Sequence, residues 1–192
     1  MSRELLYSIT TGGQLDWYRH DRVTGDVAGP SHVGEGWDFR QVFAGADGVI
    51  YAVQDDGKLL WYRHNGRADG TFTWAGPTPV GTGWNFRQVF AATDGVIYAV
   101  QDDGQLLWYR HDGHTDGTSA WQGPHPVGVG WDFRQVFAGT DGVIYAVQDD
   151  GQLLWYRHDG HLDGSFAWQG PTFVGDGWAF PQLISGGTAP TR

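Results

Sequence analysis

The sequence predicts an all-β fold: a β-propeller of four blades, each of four antiparallel strands, with the ring closed by pairing of the C-terminal strand with the N-terminal blade. Three observations carry this expectation. The chain has a 47-residue internal period. Each period holds four short strand-like runs punctuated by glycine turns. The chain also begins partway through one period and ends with the part which that period lacks.

The period is read from two markers. Trp37, Trp84, Trp131 and Trp178 recur every 47 residues, each followed by a Phe two positions on and a Gln four positions on. Trp-Tyr-Arg-His starts at Trp17, Trp61, Trp108 and Trp155, with a first gap of 44 and then two of 47. Within the unit from Trp84, the first strand is expected over Phe86–Ala91. Thr93-Asp94-Gly95 turns the chain into a second strand, Val96–Val100. Asp102-Asp103-Gly104 is an Asp-Gly hairpin signal leading to the third, Gln105–Arg110. A longer loop, His111 to Gly117, precedes a fourth near Ser119–Trp121 that ends at Gly123-Pro124. Four short antiparallel strands per repeat of 40 to 50 residues describe a propeller blade. In the second strand both faces are apolar, as expected of a sheet packed between two neighbours.

The repeat units are about 37–83, 84–130 and 131–177, with a closing blade built from 178–187 plus 4–36, all in one domain over 1–192. Phe180 to Ser185 is expected to pair with Leu5 to Ile9, which removes open sheet edges.

Composition narrows the function. A formal net charge of −10 argues against nucleic acid and against an anionic membrane surface. With no cysteine, thiolate chemistry and disulfides are excluded. No stretch of 18 apolar residues exists, and Met1–Tyr7 lacks the apolar run of a signal peptide. The reading is a soluble protein, cytoplasmic or a mature secreted form, with no membrane insertion.

The repeats resemble tachylectin-2-type β-propeller lectins over nearly the whole chain, about Leu5 to Gly187. The matching residues are the Val-Gly-x-Gly-Trp lead-in (Val80 to Trp84), the Phe-x-x-x-Phe first strand, the Gly-x-Ile-Tyr-Ala-Val second strand and the period itself. The resemblance implies a multivalent, non-catalytic lectin for N-acetylated amino sugars such as N-acetylglucosamine, with sites between adjacent blades and no cofactor. It implies three sites: Asp69, Gly70, Trp74 with Gly83, Trp84, Asn85; Asp116, Gly117, Trp121 with Gly130, Trp131, Asp132; and Asp163, Gly164, Trp168 with Gly177, Trp178. The first unit departs. Its loop, Arg22 to Gly29, is three residues shorter and has no Trp, so a fourth site is expected to be degraded or absent. The loop Asp here stands five residues before its Trp, whereas the family tends to place Asp-Asn directly before it. The family's type member has five blades, against four expected here. The oligomeric state stays open between a monomer and a small homo-oligomer.

The residues themselves suit sugar binding, because flat apolar rings face C–H patches and planar polar groups meet hydroxyls. Trp74, Trp121 and Trp168 are read either as stacking platforms or as packing at the blade edge. Trp61, Trp108 and Trp155 are expected to pack between blades. The acidic turns, such as Asp102-Asp103-Gly104, are read as hairpins, since no bidentate Glu follows at calcium-loop spacing. His20, His64, His111 and His158 are read as repeated surface or hydrogen-bonding residues, not as a metal ring. No motif joins a nucleophile to a base. The competing reading is a non-catalytic protein-interaction propeller, or a designed symmetric scaffold without ligand.

Overall fold

The computed structural model describes residues 3–21 and 23–180. These form fifteen strands and, among the described residues, no helix. The strands build four antiparallel sheets, the blades of a four-bladed β-propeller. Blade 1 is β1 (Arg3–Ile9), β2 (Leu15–Asp21) and β3 (Val27–Gly34). Blade 2 is β4 (Gln41–Ala44), β5 (Val49–Val53), β6 (Leu59–His64) and β7 (Trp74–Gly81). Blade 3 is β8 (Gln88–Ala91), β9 (Val96–Val100), β10 (Leu106–His111) and β11 (Trp121–Gly128). Blade 4 is β12 (Gln135–Ala138), β13 (Val143–Val147), β14 (Leu153–His158) and β15 (Trp168–Gly175). Strands follow one another in sheet order, so every connection within a blade is a hairpin. The blades fall into two compact units, Met1–Gly83 and Trp84–Arg192, with two blades in each. The expected closing strand, Phe180 to Ser185, lies outside the described residues beyond Phe180.

Turn chemistry accounts for the hairpins. Between β8 and β9, Asp94 and Gly95 both take left-handed backbone angles (φ 58° and 75°). The amide of Val96 donates to the carbonyl of Thr93 at 3.1 Å. Two left-handed central residues define the turn whose twist matches antiparallel strands. In the β9–β10 turn the Asp103 carboxylate accepts from the amide of Gln105 at 3.0 Å, and Asp56 and Asp150 repeat the bond to Lys58 and Gln152. These aspartates are thus turn formers.

The fourth strand differs from expectation. It begins at Trp121 and continues through a cis Gly123–Pro124 bond to Gly128, where a stop at Gly-Pro was expected. Proline lacks an amide hydrogen, which bars it from a central strand. Here it lies on an outermost strand, where the register slips between Trp108 and Arg110, so no ladder bond is required of it. The first strand is shorter than predicted, starting at Gln88.

Each unit has its own core. In the first, Leu15, Trp17, Val33, Trp37 and Ile50 pack together. In the second, Val96, Tyr98, Val100, Leu106, Trp108, Trp131 and Ile144 form the centre. All five residues of β5 and of β9 are buried, which agrees with the two-faced apolar pattern. Within the second unit Gln88 joins blades 3 and 4. Its amide nitrogen donates to the Phe133 carbonyl at 3.0 Å, and its oxygen accepts from the Val136 amide at 2.9 Å.

Candidate functional site in the crevice between successive blades

In both units the long loop of one blade lies over the outer strands of the blade before it, through the same contacts. In the first unit Trp17 donates its indole N–H to the Arg67 carbonyl at 3.1 Å, and Arg19 donates to the Ala68 carbonyl at 2.6 Å. Trp74, at the start of β7, donates to the Val33 carbonyl at 2.6 Å. In the second unit Trp108 donates to His161 at 2.8 Å, Arg110 to Leu162 at 3.3 Å and Trp168 to Val127 at 2.6 Å, each to a backbone carbonyl. Trp17 and Trp108 are buried. Trp108 thus packs between blades as expected, and Trp17, at the same place in the motif, does so in the first unit.

Close approach explains the loop glycines. Gly70 has φ 78°, and a Cβ there would come 2.5 Å from the Trp17 ring. Gly164 has φ 72° and stands equally close to the Trp108 ring, with His125 beside it. No side chain fits between this backbone and the indole below it. Gly117, the third loop glycine, is also buried with φ 79°.

Behind each loop is a buried histidine. His64, His111 and His158 are fully buried, so of the two alternatives the hydrogen-bonding one describes them and the surface one does not. Each donates its Nε2 hydrogen to a loop carbonyl at 2.8 Å: Thr71, Thr118 and Ser165. That bond leaves Nδ1 as an acceptor. Tyr7 donates its hydroxyl to Nδ1 of His64 at 2.8 Å, and Tyr98 to Nδ1 of His158 at 2.7 Å. Each of these tyrosines comes from the preceding blade. Burial holds the three imidazoles below the ordinary histidine range, and it pushes the Tyr7 phenol up to about 12. Removing the Tyr98 hydroxyl with Tyr98→Phe is expected to cost about 1–3 kcal/mol, because a buried acceptor loses its donor. A lower urea midpoint would read this out, and an unchanged midpoint would show that the bond contributes nothing.

The predicted site residues distribute as follows. Asp69, Asp116 and Asp163 are exposed. Each accepts from the amide two residues on, Thr71, Thr118 or Ser165, at 2.9 to 3.1 Å. The hydroxyls of the same residues also donate to them, and these bonds hold the carboxyls below the usual carboxylate range. Trp74, Trp121 and Trp168 are half-buried and lie flat on His64, His111 and His158, with centroids 4.3 to 4.4 Å apart. Trp84 and Trp131 are buried and Trp178 is half-buried. Gly83, Gly130 and Gly177 are exposed, as are Asn85 and Asp132. Asp132 forms an ion pair with Arg87 at 3.0 Å.

The grouping differs from the one the sequence suggested. Each loop Trp meets the lead-in Trp of its own blade. Trp74 lies 5.5 Å from Trp37, Trp121 5.4 Å from Trp84, and Trp168 5.3 Å from Trp131. Trp121 and Trp131 instead stand at opposite ends of β11. Trp121 pairs with His111, whereas the Trp131 indole abuts Gly128. The strand between them spans about 20 Å at ~3.3 Å per residue. Gly36, Trp37 and Asp38 hold the equivalent lead-in position ahead of blade 2, and Trp37 carries the same marker as Trp84.

Two further residues went unnoticed. Phe72 is 61% exposed and its ring lies 6.0 Å from that of His32 across the blade 1–blade 2 crevice. Phe166, the equivalent residue, is 71% exposed. A lone Phe in a polar loop, recurring after 94 residues with Ser119 midway, was the available signal.

The Tachylectin family matches residues 5–183. The chain belongs to the Tachylectin family. No curated protein matches the chain significantly. Among solved structures, this Tachylectin chain is similar to one from work on the de novo evolutionary emergence of a symmetrical protein shaped by folding constraints. The identity is 24%, the TM-score 0.63, and the alignment covers 95% of this chain and 79% of that one. A chain from the crystal structure of Kap60 bound to yeast RCC1 (Prp20) matches at 13% identity and TM-score 0.45, over 80% of this chain and 40% of that one. A chain from the crystal structure of HIRA(644-1017) matches at 12% identity and TM-score 0.35, over 91% of this chain and 49% of that one. Among the described residues of this Tachylectin-family protein, no three His, Asp or Glu side chains gather as a metal site, and no helix is long and apolar enough to cross a membrane.

Proposed function

We propose that this chain is a non-catalytic lectin that binds carbohydrate in the crevices between successive blades, and that its ligand is an N-acetylated amino sugar. The observation that carries the proposal is the repetition of one crevice, built from the same residue types, in both units of a Tachylectin-family chain. Phe72 and Phe166 supply exposed rings for the sugar's C–H face. Asp69 and Asp163 keep a second carboxylate oxygen free of the turn bond, as an acceptor for hydroxyls. In each crevice we group the loop with the lead-in of its own blade: Asp69, Gly70 and Trp74 with Gly36, Trp37 and Asp38, and Asp163, Gly164 and Trp168 with Gly130, Trp131 and Asp132. Asp116, Gly117 and Trp121 repeat the same loop chemistry. The indoles serve as walls, since they are already stacked on histidine. Weak single sites gain strength on a glycan surface, because linked sites raise apparent affinity by about 10² to 10⁴ without new contacts.

Titration calorimetry with N-acetylglucosamine is expected to show binding at more than one site. Phe72→Ala and Phe166→Ala should each weaken one site about three- to tenfold, the worth of one aromatic contact of about 0.5–1.5 kcal/mol. Folding should be unaffected, because both rings are exposed. A silent titration together with a blank glycan array would overturn the lectin reading and leave the protein-interaction propeller.

A further inference from the structure

The two crevices that share a plan differ in charge. In the first unit a groove of about 420 Å³ is lined by Leu5, Arg19, Asn65, Arg67 and Ala68. That size falls within the range of small-ligand clefts, about 300–1,000 Å³. Two of its five lining residues are guanidinium groups and none is a carboxylate. Arg19 spends one nitrogen on the Ala68 carbonyl and lies 5.8 Å from the Trp17 ring centroid. Neither Arg19 nor Arg67 has a carboxylate partner among the described residues. By contrast Arg87, Arg110 and Arg157 each face an aspartate, at 3.0, 3.4 and 3.4 Å. The nearest acid along the loop, Asp69, has one oxygen held by Thr71.

In the second unit the corresponding charges are paired or replaced. Arg110, the counterpart of Arg19, is paired with Asp112. The counterpart of Arg67 is His161, which turns inward and donates from Nδ1 to the His158 carbonyl at 3.0 Å. Asp159, an exposed carboxylate, stands where the first unit has the neutral amide of Asn65. An anion would be attracted to the first crevice, whereas in the second the arginines Arg110 and Arg157 are already matched by Asp112 and Asp159.

We infer that the groove of the first unit selects a sugar bearing an anionic group, a carboxylate or a sulfate ester, held by Arg67 and Arg19 while Leu5 meets the ring. The inference rests on the carbohydrate-binding reading and names the ligand class of one crevice. Guanidinium suits both anions, because its donors form a planar fork matched to paired oxygens.

The test titrates the full chain at low and high salt with N-acetylglucosamine, its 6-sulfate, glucuronic acid and inorganic sulfate, using the original protein, Arg67→Ala and Arg67→Lys. The expected result is an affinity for the sulfated sugar about tenfold above its neutral parent, shrinking at high salt. Arg67→Ala should abolish that ratio and Arg67→Lys should restore part of it. Equal affinity for charged and neutral sugars, or a ratio that survives in Arg67→Ala, would overturn the inference while leaving the lectin reading intact. Inorganic sulfate competing as well as the sulfated sugar would also overturn it, as an adventitious anion only. Binding of acidic sugars without N-acetylglucosamine binding would support the inference and retire the N-acetylated ligand. Silence from every sugar would sink both. Should Arg67→Ala fail to fold, the Lys variant and the salt dependence decide.

Discussion

Replacing Trp108 with alanine is expected to cost about 3–5 kcal/mol of stability, the usual range for a large aromatic removed from a core. The residue is fully buried and sits in the centre of the second unit's core. Three separate supports vanish with it. Its ring is stacked on His125 with centroids 5.2 Å apart. Its indole N–H satisfies the His161 carbonyl, which would be left without that donor. Its face is the floor beneath Gly164, where the loop backbone approaches too closely for any side chain. The loss should appear as a melting temperature lower by about 10 °C or more. It should also appear as protease cleavage within the 159–167 loop. Trp108→Phe should cost much less, since it keeps most of the buried ring and gives up the hydrogen bond. Equal stability of Trp108→Ala and the original protein would show that the inter-blade contact does not hold the loop.

Acid should unfold the protein through its buried histidines. His64, His111 and His158 are neutral in the fold because burial outweighs the attraction of nearby aspartates. The sign follows from which state binds more protons. In the unfolded chain a histidine titrates near 6.5, whereas the folded values lie lower. Unfolding therefore takes up protons as the pH drops below about 6.5, and stability that is complete above this point declines. The slope is at most about 1.4 kcal/mol per pH unit for one histidine, or about 4 for three acting together. The decline levels off once pH falls beneath the folded values. Asp69, Asp116 and Asp163 add to acid lability only at lower pH, since their folded values are depressed from the carboxylate range. Urea midpoints measured from pH 7.5 to 5.5 should fall steadily, and His158→Phe should flatten the curve by about one third. A midpoint that ignores pH over this span would rule out the buried neutral imidazoles.

These effects separate what could be read locally from what could not. The β9 strand, Val96 to Val100, was readable because apolar residues on both faces leave few alternatives to a sandwiched strand. The hairpin at Asp94-Gly95 was readable because turn type depends on two adjacent residues. The passage of β11 through Pro124 was not, because proline's tolerance depends on whether a neighbour strand demands its missing amide. His158 illustrates the same limit at the site. Its recurrence was visible, but its burial arises from Trp168 stacked on its ring and Tyr98, sixty residues earlier, bonded to it.

The amino-acid order alone determined the period, the strand and turn content, the number of blades and the family. All of these depend on interactions between residues close in the chain, repeated until the pattern is unmistakable. Only the tertiary structure decided which indoles meet, which imidazoles are sealed from water and which arginines line an open groove without an acid beside them. The reason is geometric. An eight-residue strand carries the chain from one end of a blade to the other, so Trp131, ten residues from Trp121, ends far from it, while Trp84, thirty-seven residues away, ends in contact with it. Sequence distance sets the strands, and the packing of one blade on the next sets the chemistry between them.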